Sequence, residues 1–365
     1  MNKTEIHVIY GDNPIRMTYE LLEKAQLAAE LKPDMLIGLK PNLIIAKRAS
    51  EGATTSPEIA EGVIKYLLDH GMKRIEILES SWVGDDTKRA FRVCGYEELS
   101  KKYGIPLHDL KDDGFEVKRV GELDIKVCKK ALAVDFLINM PVLKAHCQTN
   151  LTCALKNLKG CIPDSEKRRF HSLGLHKPIG YLNKALRTDF IVVDAIAGDL
   201  TFEEGGNPVH MDRLIAGRDP VLIDAYAASL LGYETEDIEY IGIAARVGVG
   251  CDDLHKAKII EHDANLKNGN QFKPTMKLQR LANKVIAKEA CSACYGSLIH
   301  ALQRLADKGN LDAVREPISI GQGFKGQPVD GIRIGQCTLK SGEGVTGCPP
   351  TAKDILDFLE GRTKS

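Results

Sequence analysis

The sequence predicts an α/β protein: a mostly parallel, covered sheet followed by a small C-terminal cysteine-rich α+β domain. Three observations predict it. Short apolar runs alternate with helical patterns through residues 1–266, the texture turns polar near Lys267, and four of the ten cysteines fall in residues 267–365.

Runs rich in β-branched or apolar residues recur at Glu5 to Tyr10, Met35 to Leu39, Arg74 to Leu78, Phe136 to Met140 and Phe190 to Val193. Each ends in Gly, Pro, Asn, Asp or Ser, the pattern of short buried strands. Between them the helical pattern is clearest in SPEIAEGVIKYLLDHG. There Ser56 is placed to cap, Pro57 fits the first turn, Ile59, Val63, Leu67 and Leu68 share one face, and Gly71 ends the helix. Strand, helix, strand implies parallel pairing, because parallel neighbours need a crossover that a helix supplies. A further helix starts at Asp219-Pro220 and stops at Gly232. The polar, turn-rich NLKNGNQFKPTMK then marks a boundary, giving domains at 1–266 and 267–365. The second is expected to hold a helix before Cys291, another from Tyr295 to Leu305, strands Ile318 to Ile320 and Ile332 to Ile334, and a last helix from Thr351 to Leu359. It is small for an independent core and would gain from a metal.

Composition narrows the function classes. Apolar residues make up 43% and charged residues 27% of 365, with 50 Lys plus Arg against 50 Asp plus Glu. No run approaches the roughly 18 apolar residues of a membrane span, and no global basic field argues for a nucleic acid. The start, MNKTEIHVIYGDN, turns polar too early for a secretory signal, so the expected compartment is cytoplasmic. In a reducing compartment ten cysteines point to metal ligation or redox chemistry rather than disulfides. Neither GxGxxG nor GxxxxGK[ST] occurs, so no dinucleotide or P-loop reading is supported.

Cys291 and Cys294 form a CxxC, and Cys337 and Cys348 follow within GQCTLKSGEGVTGCPP. Four thiols in one small domain suit a 4Fe-4S cluster or a tetrahedral zinc site. The Gly-rich loop with Gly342, Gly344 and Gly347 and the Cys-Pro after the last thiol favour the cluster, so an iron-sulfur domain is expected, with zinc or redox-active thiols as alternatives. Cys147, Cys153 and Cys161 beside His146 read as buried structural thiols rather than a second metal site. Cys94, Cys128 and Cys251 read as packing residues.

From Lys144 to Arg187 there are nine Lys or Arg against Asp164 and Glu166. This local surplus follows the apolar FLINMP, and ligands of open α/β sheets gather outside the carboxyl ends of the strands. Lys144, His146, Thr149, Thr152, Lys156 and Asn157 are expected to converge on a carboxylate or phosphate, with His146 or His171 moving a proton. The alternative is a solvated basic face, which is the reading for Lys167, Arg168 and Arg169. Lys40 and Asn42 follow another strand end, as do Glu79, Ser80 and Ser81; Thr54, Thr55 and Ser56 precede a helix N-terminus suited to an anion. Asp194, Asp199 and Asp224 are candidates to orient a lysine or bind a cation, Asp224 reading better as an early-helix acid.

LKPNL, GATTSPE, PVLKAHCQTNLTCALKNLKGCIP, His171, IVVDAIAG, RDPVLIDAYAASLLG, CSACYGSL, IGQC and GCPP together resemble the domain-of-unknown-function 362 family, described as uncharacterised iron-sulfur centre proteins. The resemblance runs over nearly the whole chain. It implies a cluster on Cys291, Cys294, Cys337 and Cys348 and a shared polar set of Lys40, Lys144, His146, Lys156, Asn157 and His171. The chain lacks the CxxCxxCxxxCP insert of many relatives, so a two-cluster relay is not implied. The expected function is redox chemistry on an anionic small molecule held by Lys40, Asn42, Lys144, Lys156 and Asn157, with the cluster exchanging electrons. Two alternatives stand beside it. One is an electron carrier or assembly factor docking on a redox partner protein; the other is an enzyme whose cluster or zinc is purely structural.

Overall fold

The computed structural model describes residues 1–200, 203–267, 281–338 and 343–363. The chain divides into two compact units, Met1–Lys167 with His176–Pro274, and Arg168–Leu175 with Thr275–Ser365. The expected boundary near Lys267 thus lies a few residues before the division, and one short segment of the front half, which carries His171, groups with the rear unit.

The first unit is built on an eight-stranded sheet. Its strands are β1 (Glu5–Tyr10), β2 (Leu36–Pro41), β3 (Arg74–Glu79), β4 (Leu107–Asp109), β7 (Phe136–Met140), β10 (Phe190–Asp199), β11 (Pro208–Gly217) and β12 (Lys258–His262). Two separate hairpins supply β5 (Phe115–Val120) with β6 (Leu123–Cys128) and β8 (Lys144–His146) with β9 (Asn150–Thr152). The sheet order is β12-β1-β11-β10-β7-β2-β3-β4. Every neighbouring pair is parallel except the two that involve β11. The sheet is therefore mostly parallel, and one edge collects the carboxyl ends of β2, β3, β7 and β10.

β7 is buried at every position and β2 at all but its first, so both faces of the sheet are covered. Consecutive side chains point to opposite faces, which is why these strands read as unbroken apolar runs. On one face the helices Pro14–Lys24 and Pro57–Asp69 deliver Met17, Leu21, Ile59, Val63 and Leu67 onto Ile37, Leu39, Ile138 and Val192. Each of these fully buried side chains is worth about 1.5–3 kcal/mol of transfer free energy. Asn13 caps the first helix by accepting from the Arg16 N–H.

The second unit carries a four-stranded sheet of order β13-β14-β15-β16: Val285–Ala287, Ile318–Ile320, Ile332–Ile334 and Gly344–Val345. All three pairings are parallel, and the two expected strands, Ile318–Ile320 and Ile332–Ile334, are neighbours at its centre. Its helices run Ser292–Asp307 and Ala352–Thr363. Before Cys291, where a helix was expected, Leu281 and Ala282 are helical and the strand β13 follows them; 268–280 lie outside the described residues, as does Gly342.

Candidate functional site

At the carboxyl edge of the larger sheet the expected basic residues do come together, but inside the protein. Lys40 and Lys144 are 0% exposed and Lys156 is 4% exposed. A buried ammonium is stable only with close partners, and each has them.

Lys40 leaves the end of β2 and meets Glu79, at the end of the adjacent β3, with Nζ 2.9 Å from Oε1. The Lys40 ammonium also donates to the Pro41 carbonyl at 2.7 Å. Glu79 accepts in addition from the Leu43 and Ser80 N–H groups, both at 2.7 Å. Gly160 lies over this pair: a Cβ there would stand 2.1 Å from Glu79 Oε1 and 2.6 Å from Lys40 Nζ.

Lys144 donates to the Ala53 carbonyl at 2.7 Å, to the Glu203 carbonyl at 3.1 Å and, more weakly, to Asn42 Oδ1 at 3.5 Å. Surrounded by dipoles, the amine is pushed down to about 8, chiefly by burial. The hairpin β8–β9 sets Lys144 opposite Thr152, and one turn further on Lys156 donates to the Thr152 hydroxyl at 3.0 Å. Lys156 also pairs with the carboxylate of Glu203, which lies 2.8 Å through its other oxygen from His146 Nε2.

His146 was expected to move a proton, and in the structure both of its ring nitrogens face protein groups. Its Nδ1 accepts from the Gln148 and Thr149 N–H groups, both at 3.1 Å. That fixes the proton on Nε2, which faces Glu203, although the N–H is poorly aligned on the oxygen. Burial pushes the ring down to about 4, so it stays neutral. Burial opposes ionisation of Glu203, but the neighbouring positive charge outweighs it and holds the carboxyl well below its usual range. We take Lys156 as the counter-charge. His171, the other expected proton carrier, is buried and groups with the second unit.

Asn157 uses its amide on the Lys40 carbonyl at 3.2 Å and on Asn139 Oδ1 at 2.7 Å. Lys167 is not on a solvated face: it is buried and donates to Ser80 Oγ at 2.7 Å, the Ser81 carbonyl at 2.6 Å and Asp164 at 3.1 Å. Arg168 is exposed, as expected. Asp224 does not serve its own helix. It accepts from the Ala154 and Leu155 N–H groups at 2.7 and 3.2 Å, and burial pushes its carboxyl up to about 7. At the helix start after Ser56, carboxylates of the protein already hold the Ser56 groups: Asp194 accepts the Ser56 N–H at 2.9 Å and the Ser56 hydroxyl donates to Glu58.

In the second unit Cys291 is the N-cap of the helix Ser292–Asp307 and Cys294 lies in its first turn. Burial first, and then the charges of Cys291, Cys348 and Cys337, push the Cys294 thiol up to about 12. Cys337 and Cys348 thus lie near enough to Cys294 to influence it although the sequence separates them widely. Gln322 Nε2 approaches Cys291 Sγ at 3.5 Å. Among the described residues no group of three or more His, Cys, Asp or Glu side chains is arranged to hold a metal ion. No disulfide forms; Cys94, Cys128, Cys153 and Cys161 are buried, and Cys147 and Cys251 are partly so.

Residues 37–229, more than half of the chain, match the family described as Domain of unknown function (DUF362). The chain belongs to this family. The matched segment of this DUF362 protein contains all of the buried lysine network and none of the four C-terminal cysteines. A relative, the thylakoid-associated protein sll1697 of Synechocystis sp., is 25% identical over 230 residues, covering 60% of this chain and 70% of that one. Among solved structures, the lactate racemase apoprotein of Thermoanaerobacterium thermosaccharolyticum matches with a TM-score of 0.39 at 15% identity, over 58% of this chain and 53% of that one. A Thermotoga maritima protein matches with a TM-score of 0.36 at 15% identity, over 55% of each chain. The DUF362 chain thus spans about half the length of these solved proteins. No helix among its described residues is long and apolar enough to cross a membrane.

Proposed function

We propose that this DUF362 protein is an iron-sulfur redox protein whose larger unit holds a small anionic molecule, a carboxylate or phosphate, at the lysine network of the sheet's carboxyl edge. The observation that carries the reading is the placing of Cys291 and Cys294 at one helix start, with Cys348 and Cys337 near enough to Cys294 to push its thiol up. Uncharged thiols have no need of one another. Four thiolates repel strongly, and a cationic centre relieves that repulsion by replacing their protons. Cys291, Cys294, Cys337 and Cys348 would hold the cluster, which when bound supplies one-electron transfer.

In the larger unit an entering anion takes over the partners of the Glu203 carboxylate, the Lys156 ammonium and the His146 Nε2–H. Lys144 stands beside them, hydrogen-bonded to carbonyl oxygens rather than to a carboxylate, so its ammonium is open to an anion. Lys40, already matched by Glu79, organises the edge.

Anaerobic purification followed by iron and acid-labile sulfide analysis tests the cluster, with electron paramagnetic resonance before and after dithionite. About four irons and four sulfides per chain are expected for a single cubane. They should be lost in Cys291→Ser or Cys348→Ser. One zinc and no sulfide would overturn the reading. Lys144→Met should abolish anion binding while leaving iron content unchanged.

A further inference from the structure

The β5–β6 hairpin stands apart from the eight-stranded sheet and leaves one strand edge open. Its loop is the two residues Gly121 and Glu122, between the closing pair Val120 and Leu123, with Gly121 at φ +54°. A two-residue turn closes on a hydrogen-bonded pair, and such pairs recur at every second residue of an antiparallel ladder. Val120, Lys118 and Glu116 therefore turn their main-chain groups toward β6. Two contacts outside the ladder agree with this phase. The Lys129 N–H donates to the Gly114 carbonyl at 2.9 Å, and the Lys126 N–H, on the far side of β6, donates to Glu166 Oε1 at 3.3 Å.

Phe115, Val117 and Arg119 turn their main-chain groups away from the hairpin, and among the described residues no partner meets them. A row of unpaired N–H and C=O groups is a template for another strand. The side chains add to it. Ile125 and Val127 of β6 are buried on the inner face, whereas Phe115 and Val117, on the outer face of β5, are 43% and 55% exposed.

Charge identifies the occupant. β5 reads Phe-Glu-Val-Lys-Arg-Val. An outward residue can exchange hydrogen bonds only with another outward residue, so a second β5 laid antiparallel on the first can slide only in steps of two. Centred on Val117, the pairing sets Glu116 opposite Lys118 of the second copy, twice by symmetry, and Phe115 opposite Arg119. One step either way sets Glu116 against Glu116 or Lys118 against Lys118. Opposite charges across a ladder stabilise and like charges repel, so the centred register is the favoured one. Within one chain Lys118 Nζ already lies 2.7 Å from Glu116 Oε2, and pairing completes a ring of four alternating charges.

We propose that two copies of this chain associate through β5, antiparallel about a two-fold axis at Val117, joining two hairpins into one four-stranded sheet. The contact is self-complementary and uses up the open edge, so it closes at two copies. The proposal rests on neither the lysine network nor the cysteines.

Sedimentation velocity of the full chain tests it, at concentrations from about 1 to 100 μM to span weak and moderate association. A dimer of twice the chain mass is expected, and nothing larger. Val117→Pro removes the central outward N–H and keeps every bond to β6, because proline is accepted on an edge whose N–H faces solvent; it should leave the chain monomeric. Glu116→Lys or Lys118→Glu alone sets like charges opposite and should raise the dissociation constant at least about tenfold, and the double exchange should restore it. Circular dichroism checks that each variant is folded, and if Val117→Pro is not, the charge exchange decides. A monomer throughout would leave the edge to a strand of another protein and overturn the proposal. So would assemblies beyond two copies, a dimer indifferent to folded Val117→Pro or to the single charge variants, or a double exchange no better than either single.

Discussion

The pairing of Lys156 with Glu203 makes a quantitative prediction through a double-mutant cycle. Both side chains are buried, at 4% and 7% side-chain exposure, so neither charge can fall back on water. Glu203→Gln keeps an oxygen for the His146 Nε2–H but leaves the Lys156 ammonium without its counter-charge. Lys156→Met keeps most of the apolar stem and leaves the Glu203 carboxylate facing a neutral imidazole. Removing one partner of a buried pair costs about 3–5 kcal/mol, because the remaining charge is uncompensated. The double variant strands no charge, so its loss should fall below the sum of the singles by at least about 2 kcal/mol. Urea unfolding at pH 7 measures this directly. Trp82 is the single tryptophan and lies just beyond β3, so its fluorescence reports the larger unit alone. Singles that each cost under about 1 kcal/mol, or that add to within about 0.5 kcal/mol, would refute the pairing.

Three further outcomes follow from the same interior. His146 titrates near 4 when folded against 6.5 as a free group, so the unfolded chain binds its proton first. This contribution to stability is intact above pH 6.5 and falls by about 3 kcal/mol as pH drops toward 4. His146→Gln should flatten that slope in urea midpoints collected across the range; an unchanged slope would contradict it. Asp224 has the opposite sign: its folded carboxyl is raised to about 7 from 3.8, so it stabilises at low pH and loses that contribution as pH rises through 7. Asp224→Asn should remove the decline, measured in the same melts. Gly160→Ala must displace the Lys40–Glu79 pair and should cost about 3–5 kcal/mol. Gly361→Ala, with open space around its Cβ in the last helix, should not destabilise its unit, as thermal unfolding would register.

Much of the fold could be read from local pattern because its central strands are buried on both faces. β1 and β7 stand where their mostly apolar runs put them, and Pro57–Asp69 buries Ile59, Val63 and Leu67 of its expected stripe while Leu68 is exposed. β11 escaped because His210, Asp212 and Arg213 interrupt PVHMDRLIAG, whose first half is exposed or partly so except at Met211. The β5–β6 hairpin escaped for a related reason: β5 is largely exposed, so nothing forces a continuous apolar run. At the site, the strand-end rule located Lys40, Asn42 and Lys144 but said nothing of their partners. Glu203 is 47 residues from Lys156 and lies in the turn-rich TFEEGG, where no periodicity marks an acid as buried. A surplus of lysines in sequence therefore looked like an open basic pocket, whereas long-range pairing had matched most of it.

That difference between charge count and charge environment sets what the carboxyl edge of the sheet can do. The Lys40 and Lys156 ammonium groups there already have carboxylates, so an anion binds by exchange with Glu203, and its net gain is the difference between two similar interactions. Affinity at this edge should be modest, and removing the internal competitor by Glu203→Gln should strengthen anion binding even as it weakens the fold. Between about 20 and 200 mM salt this affinity should change little, because a charge transferred inside the protein is poorly screened. A steep salt slope would place the anion at the protein surface instead.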